Sequence, residues 1–169
     1  MLELYLVRHG WTAWHTERRV AGWLEVPLDE RGWAEAEAAG RWLATHCRER
    51  PAALISSPVL RACQTADAIA AAFDPALELH LEPAIGETHL TEWQGRLVAD
   101  IEANEPTWPE FFRAPADYRY PGGETNRELQ RRVVAAVEAI RRSYLAGMVI
   151  LVTHADPIRS LIAHFLGLD

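Results

Sequence analysis

"LELYLVRHG", residues 2–10, carries an apolar run straight into an arginine, a histidine and a glycine. A run this short, rich in leucine and valine, has the length of a strand rather than of a helix. Two more runs share that character, "ALIS" (53–56) and "MVILVT" (148–153), and "LELHLE" (77–82) completes a set of four. The first, second and fourth in chain order are apolar enough to be covered on both faces, as strands of parallel sheets are.

Helical patterns lie between them. Residues 30–46 present Trp33, Ala36, Gly40 and Leu43 on one face. Residues 59–73 present Leu60, Cys63, Ala66, Ile69 and Ala70 or Phe73, and 126–145 present Leu129, Val133, Ala136 or Val137, Ile140 and Tyr144. These are the spacings of three and four that put an apolar stripe on a helix. Thr125 with Glu128 predicts a capping box on the last of them. Pro58 predicts a first-turn position in the helix after Ser57. Strands alternating with helices predict an α/β fold with a mainly parallel sheet. The stretch 104–124 has four prolines, five aromatic residues and no clean period, and reads as an irregular flap over one end of the sheet.

At 169 residues the chain reads as one domain, 1–169, able to bury roughly two-thirds of its unfolded surface. A net charge of −7 argues against a general nucleic-acid or acidic-membrane binder. All 17 basic residues are arginine, so neither a Schiff-base lysine nor a P-loop lysine is present. Cys47 and Cys63 have no CxxC spacing and fit a reducing compartment. Met1 leads directly into a strand, with no signal-peptide pattern and no membrane-length apolar run, so a soluble cytoplasmic protein is expected.

Open α/β sheets bind ligands where strands end at their carboxyl edge. Arg8 and His9 follow the first strand; Ser56, Ser57 and, a turn later, Arg61 follow the second. Glu87 follows the third, and His154 and Arg159 the fourth. Arginine holds phosphate through a planar fork of donors. Histidine is a nucleophile when neutral, and a carboxyl kept protonated is a general acid. Such a set suits phosphoryl transfer without a metal.

The motifs resemble those of the histidine phosphatase superfamily, the branch that includes the cofactor-dependent phosphoglycerate mutases. "LVRHG" (6–10) with Thr12 and Trp14, "RVAGWLEVPLDERG" (19–32) and "SSPVLRACQTA" (56–66) are similar to its first stretches, in order. "ETHLTEWQG" (87–95), "PGGET" (121–125) and "VTHADPIR" (152–159) are similar to the rest. The resemblance implies a phosphoglycerate mutase-like three-layer α/β/α fold. It implies that His9 becomes a phosphohistidine, that Arg8, Arg61 and His154 clamp the phosphoryl oxygens with a contact from Thr12, and that Glu87 protonates the leaving oxygen. The implied activity is a metal-independent and cofactor-free phosphomonoesterase, a monomer or homodimer, acting on a small phosphorylated metabolite. Ribazole phosphate, phosphorylated sugars and glycerates are among the substrates it implies. Four residues separate Glu87 from Glu92 before "WQG", where mutases carry a longer insertion, which points to the short phosphatase type.

The chain departs from the family at Trp11, where an acidic residue or Gln is common, and at His15, where Asn is. Ala155 and Asp156 replace the glycines that usually follow the second histidine. Trp11, His15, Ala155, Asp156 and the 104–124 flap are therefore expected to shape substrate specificity, although His15 also reads as a rim residue. Relatives usually run on beyond the position of Asp169, so further chain is expected there. Arg18 and Arg19 read as a basic rim or a charged turn; His46, His80, His89 and His164 as structural or exposed; Trp23, Trp33 and Trp42 as core or near-core. The rival readings are a mutase, a metal-dependent hydrolase built on His9, His154 and Asp156, and a non-catalytic phospho-ligand module.

Overall fold

The computed structural model describes residues 1–47 and 49–168. In chain order the main elements are β1 (Leu2–Arg8), α1 (Ala13–Thr16), α2 (Glu30–His46), β2 (Ala53–Ser56), α3 (Leu60–Ala71) and β3 (Leu79–Leu81). Then follow α4 (Val98–Asn104), α5 (Trp108–Arg113), α6 (Asn126–Ser143), β4 (Gly147–Thr153) and α7 (Ala155–Leu166). The four strands form one parallel sheet in the order β1-β4-β2-β3. The fold is a three-layer α/β/α sandwich. Side chains alternate along each strand, so Val149 and Leu151 of β4 face α6 and α7 while Met148, Ile150 and Val152 face α2 and α3.

β4 is central and buried over its whole length after Gly147. β1 takes an edge position instead. Its Leu2, Leu4 and Leu6 pack on one layer and Tyr5 and Val7 on the other, all half-buried, so it is covered on both faces less completely than its composition predicts.

The face predicted for α6 is the buried one, from Leu129 through Ile140, and its Thr125–Glu128 capping box forms in both directions, at 3.1 and 2.9 Å. The other two helices differ from their predicted faces. In α3 the buried stripe is Arg61, Ala62, Thr65, Ala66, Ile69 and Ala70, with Leu60 and Cys63 to one side. Two of those six are polar, which hides the stripe from a count of apolar residues. Pro58 lies before the helix rather than in its first turn, since the cap is Val59.

In α2, Gly32 takes the inner place expected of Trp33, which is 38% exposed; Trp42 is also at the surface, 51% exposed. The reason is a close backbone crossing. A Cβ on Gly32 would stand 2.0 Å from the Trp11 carbonyl oxygen, and one on Gly10 would stand 2.4 Å from the Gly32 carbonyl oxygen. Gly10 is therefore required by approach; it has no positive φ. Alanine at 32 gains about 1 kcal/mol of helix propensity, but the overlap forces α2 and the Trp11 backbone apart. A net loss of at least about 2 kcal/mol is expected for Gly32→Ala, read as a lower denaturation midpoint at unchanged m-value.

The 104–124 stretch is more ordered than predicted. It contains α5, and Trp108, Phe111, Tyr118 and Tyr120 pack with Trp93 and Ile101 into a small aromatic core of their own. Edge-on pairs such as Trp93–Tyr120, with ring centroids 5.2 Å apart, account for the absence of a period: these rings pack on one another rather than along one helix face.

Candidate active site

The carboxyl edge of the sheet gathers the chemistry. Ladder bonds continue one residue past β1 and β2, with the His9 amide donating to Thr153 O (3.0 Å) and the Ser57 amide to Val152 O (2.9 Å). His9, Ser57 and His154 thus leave adjacent strands at one level. His9 is 7% exposed, Arg61 1% and His154 not at all.

Two contacts set the tautomer of His9. Its Nδ1 donates to the Gly10 carbonyl at 2.8 Å, because a carbonyl oxygen can only accept. Its Nε2 accepts from Arg61 Nε at 3.0 Å, because a guanidinium can only donate. The lone pair of His9 therefore lies on Nε2, beside the arginine. Burial first, then the Arg61 charge, lowers its pKa to about 3, so the ring is neutral across the physiological range.

Arg61 binds more than His9. Its Nη2 donates to Gly22 O at 2.8 Å and lies 3.2 Å from His154 Nδ1, and its Nη1 reaches Leu24 O at 3.3 Å. His154 Nδ1 is thus an acceptor, which leaves the Nε2 proton for Ser57 Oγ at 2.8 Å. Burial, reinforced by Arg61, keeps His154 well below its ordinary pKa. The two rings meet edge-on with centroids 5.0 Å apart.

Glu87 comes from the loop after β3. Its Oε1 accepts from the Thr88 amide at 2.8 Å and its Oε2 lies 3.9 Å from His154 Nδ1. Burial, and then the Asp156 carboxylate, pushes its pKa up to about 7. The carboxyl therefore holds a proton near neutrality, as a general acid must.

Arg8 is less committed. Its Nη2 is 2.9 Å from His15 Nε2, while the Thr12 amide donates to His15 Nδ1 at 3.0 Å. A neutral imidazole has one acceptor nitrogen, so His15 can satisfy only one of these donors at a time. Burial and Arg8 lower the pKa of His15, which keeps it neutral and sustains that competition. Arg8 is accordingly the guanidinium freest to turn toward an incoming anion.

A cavity of about 220 Å³ opens over this set, lined by Arg8, His9, Thr12, His15, Arg61 and Glu87 together with Trp14, Arg19 and Leu90. His154 lies beneath the lining. Thr12 is fully buried and its hydroxyl is 2.9 Å from His15 Nδ1. Trp11 and Ala155 are outside the lining; Trp11 reaches it by stacking on His15, centroids 4.6 Å apart, and Arg31 also lies over its ring. Arg159 does not join the set, since it is on the exposed side of α7, paired with Asp156 at 2.8 Å. Arg19 supplies the basic rim. None of the five flap aromatics lines this cavity. Among the described residues no group of three His, Cys, Asp or Glu side chains is placed to hold a metal ion. No helix among them is long and apolar enough to cross a membrane, and both cysteines are free.

Ser57, legible in sequence as a strand-end residue, orients His154, whereas Thr65, whose role had no signal of its own, accepts the Gly10 amide at 3.1 Å. Trp23 is half-buried and stands at the site, donating through Nε1 to the Glu87 carbonyl at 2.7 Å. A buried polar residue at a helical spacing, as at Arg61 and Thr65, was the one available hint.

The chain is 32% identical over 170 residues to a protein of Escherichia coli named as a probable phosphoglycerate mutase, GpmB, covering 99% of this chain and 76% of that one. It superimposes on Bacillus stearothermophilus YhfR with a TM-score of 0.91 at 30% identity, over 100% of this chain and 82% of that one. A mycobacterial glucosyl-3-phosphoglycerate phosphatase, solved with a vanadate species, gives a TM-score of 0.87 at 30% identity, over 98% and 82%. The model of histidine phosphatase superfamily branch 1 matches residues 4–169, and with the two-histidine, two-arginine edge described above it places this chain in that superfamily.

Proposed function

We propose that this enzyme is a phosphomonoesterase that transfers the phosphoryl group of a small metabolite to His9 Nε2 and then to water. The observation that carries the proposal is the preset His9 tautomer, with its lone pair beside Arg61. A buried neutral imidazole can attack phosphorus once Arg61 Nε turns its hydrogen bond from Nε2 to a phosphoryl oxygen, and the P–O bond to the alcohol breaks as the N–P bond forms. The Glu87 proton goes to the departing oxygen. Arg61 and Arg8 donate to the equatorial oxygens as charge spreads over them. Glu87, then ionised, takes a proton from the water that cleaves the phosphohistidine.

The cavity, at about 220 Å³, suits a phosphoryl group with a small alcohol rather than a macromolecular substrate. Arg19 at its rim favours a second anionic group on that alcohol. A mutase reading draws on the E. coli relative; the short Glu87–Glu92 spacing favours hydrolysis. A metal-dependent reading lacks a cluster of metal-ligating side chains among the described residues. A binding-module reading leaves the preset His9 without a use.

Rapid acid and alkaline quenches with p-nitrophenyl phosphate test the proposal. Acid-labile, alkali-stable phosphate should appear on the protein before steady-state phosphate release. With 3-phosphoglycerate, release should exceed isomerisation, and EDTA should not alter the rate. Turnover without phosphoprotein sinks the covalent route.

A further inference from the structure

Arg132 lies on α6, away from the cavity lining, and every N–H of its guanidinium is used. Nη1 donates to the carbonyl oxygens of Ala84 and Gly86, both at 2.9 Å. Nη2 donates to the Glu87 carbonyl at 2.7 Å and to Glu124 Oε1 at 2.7 Å, and Nε donates to Glu124 Oε2 at 3.0 Å. A guanidinium has five N–H groups, so none remains for solvent or substrate. Glu124 continues the grip, because its Oε1 also accepts the amide of His89 at 2.9 Å.

The Gly86 carbonyl belongs to the peptide before the Glu87 Cα, and the Glu87 carbonyl to the peptide after it. Both peptide planes are bonded to one rigid planar cation. Together they set φ and ψ of Glu87 and hence the direction of its Cα–Cβ bond. The Glu87 carboxyl stands near Asp156, which repels it once ionised. Its place beside His154 therefore depends on the backbone beneath it being held.

Resting on the function proposed above, we infer that the Arg132–Glu124 pair is a positioning unit that aims the Glu87 carboxyl at the leaving-group oxygen. Lysine cannot replace it, since a single ammonium cannot bracket two peptide planes and a carboxylate in a fixed fork. Protonation of the leaving group by a placed acid contributes about 10²- to 10⁴-fold, and small misplacements forfeit a large part of such effects.

The test compares Arg132→Lys and Glu124→Gln with wild type on two substrates. One is glycerol phosphate, whose alcohol needs a proton to leave; the other is p-nitrophenyl phosphate, whose phenolate does not. The quantity is kcat/KM, which covers only the steps up to departure of the alcohol. Rates are normalised to the fraction of chain that takes up phosphate from p-nitrophenyl phosphate, so misfolded protein is not counted. A loss of about 10- to 100-fold is expected on glycerol phosphate, against less than about threefold on p-nitrophenyl phosphate. Equal losses on both substrates, or none on glycerol phosphate, would overturn the positioning role. Absence of phosphate uptake by the wild type itself would instead overturn the function on which the inference rests.

Discussion

Replacing His9 by alanine is expected to lower phosphate release by roughly 10⁴-fold or more, the scale seen when a covalent nucleophile is removed. The substitution removes the cavity-lining nitrogen lone pair that accepts from Arg61 Nε. It leaves Arg61 its bonds to Gly22 O and His154, so that arginine stays in place. Binding of orthovanadate should therefore change far less than turnover. The variant should show no phosphoprotein in either quench. The fold should gain acid stability. In the wild type His9 titrates at about 3 instead of near 6.5, so the unfolded chain binds a proton that the folded chain refuses. Stability is consequently lost as pH falls from about 6.5 toward 3, and the alanine variant lacks that contribution. Retention of phosphate release within tenfold of wild type would contradict a nucleophilic His9.

Glu87→Gln is expected to lower kcat/KM on alkyl phosphates by about 10²- to 10⁴-fold. It should also change the pH profile. With Glu87 near 7 and His9 near 3, the wild type should hold a plateau on the acid side of neutrality. It should then lose about tenfold per pH unit above about 7, as the acid gives up its proton. Glutamine has no such proton, so the alkaline limb should vanish with the activity, while p-nitrophenyl phosphate is affected much less at the first chemical step. The same variant should be more stable than wild type at neutral and higher pH. The carboxyl of Glu87 is harder to ionise in the folded chain than in the unfolded one. Below about 4.5 both forms are protonated and there is no cost; as pH rises from there through 7 the full cost develops, on the order of 3 kcal/mol. Glutamine keeps an acceptor oxygen for the Thr88 amide and carries no charge to desolvate. A melting temperature that rises above wild type only at higher pH would show both effects. An unchanged alkaline limb in the variant would assign the proton to another group.

These two results bear on one feature of the site. His9 is kept neutral and Glu87 protonated by the same burial, and each costs stability in its own pH range. Such opposed costs are common where acid and base chemistry run together near neutrality.

What local order along the chain determined is clear at the strand ends. A residue that follows a parallel strand must lie at the carboxyl edge, whatever the rest of the chain does. Arg8, His9, Ser57 and His154 were therefore legible as neighbours before any packing was known. The apolar face of α6 was legible too, because its period from Leu129 to Ile140 is unbroken and solvent-averse on one side only. The order of the motifs was enough to identify the superfamily.

Tertiary contact decided the rest. The buried face of α3 includes Arg61 and Thr65, and a polar side chain is tolerated there only when distant donors and acceptors meet it. Those partners are Gly22 O, His9 and His154 for one and the Gly10 amide for the other. Apolar periodicity carries no record of such pairs, so it misplaced the stripe at Leu60 and Cys63. It misplaced Trp33 because bulk, rather than hydrophobicity, excludes any side chain where α2 crosses the Trp11 backbone. Which nitrogen of His9 bears the lone pair, why Glu87 keeps its proton and what Arg132 holds are all settled by groups far apart in sequence. Hydrogen-bond direction and desolvation depend on who is near in space, and sequence alone records only who is next in line.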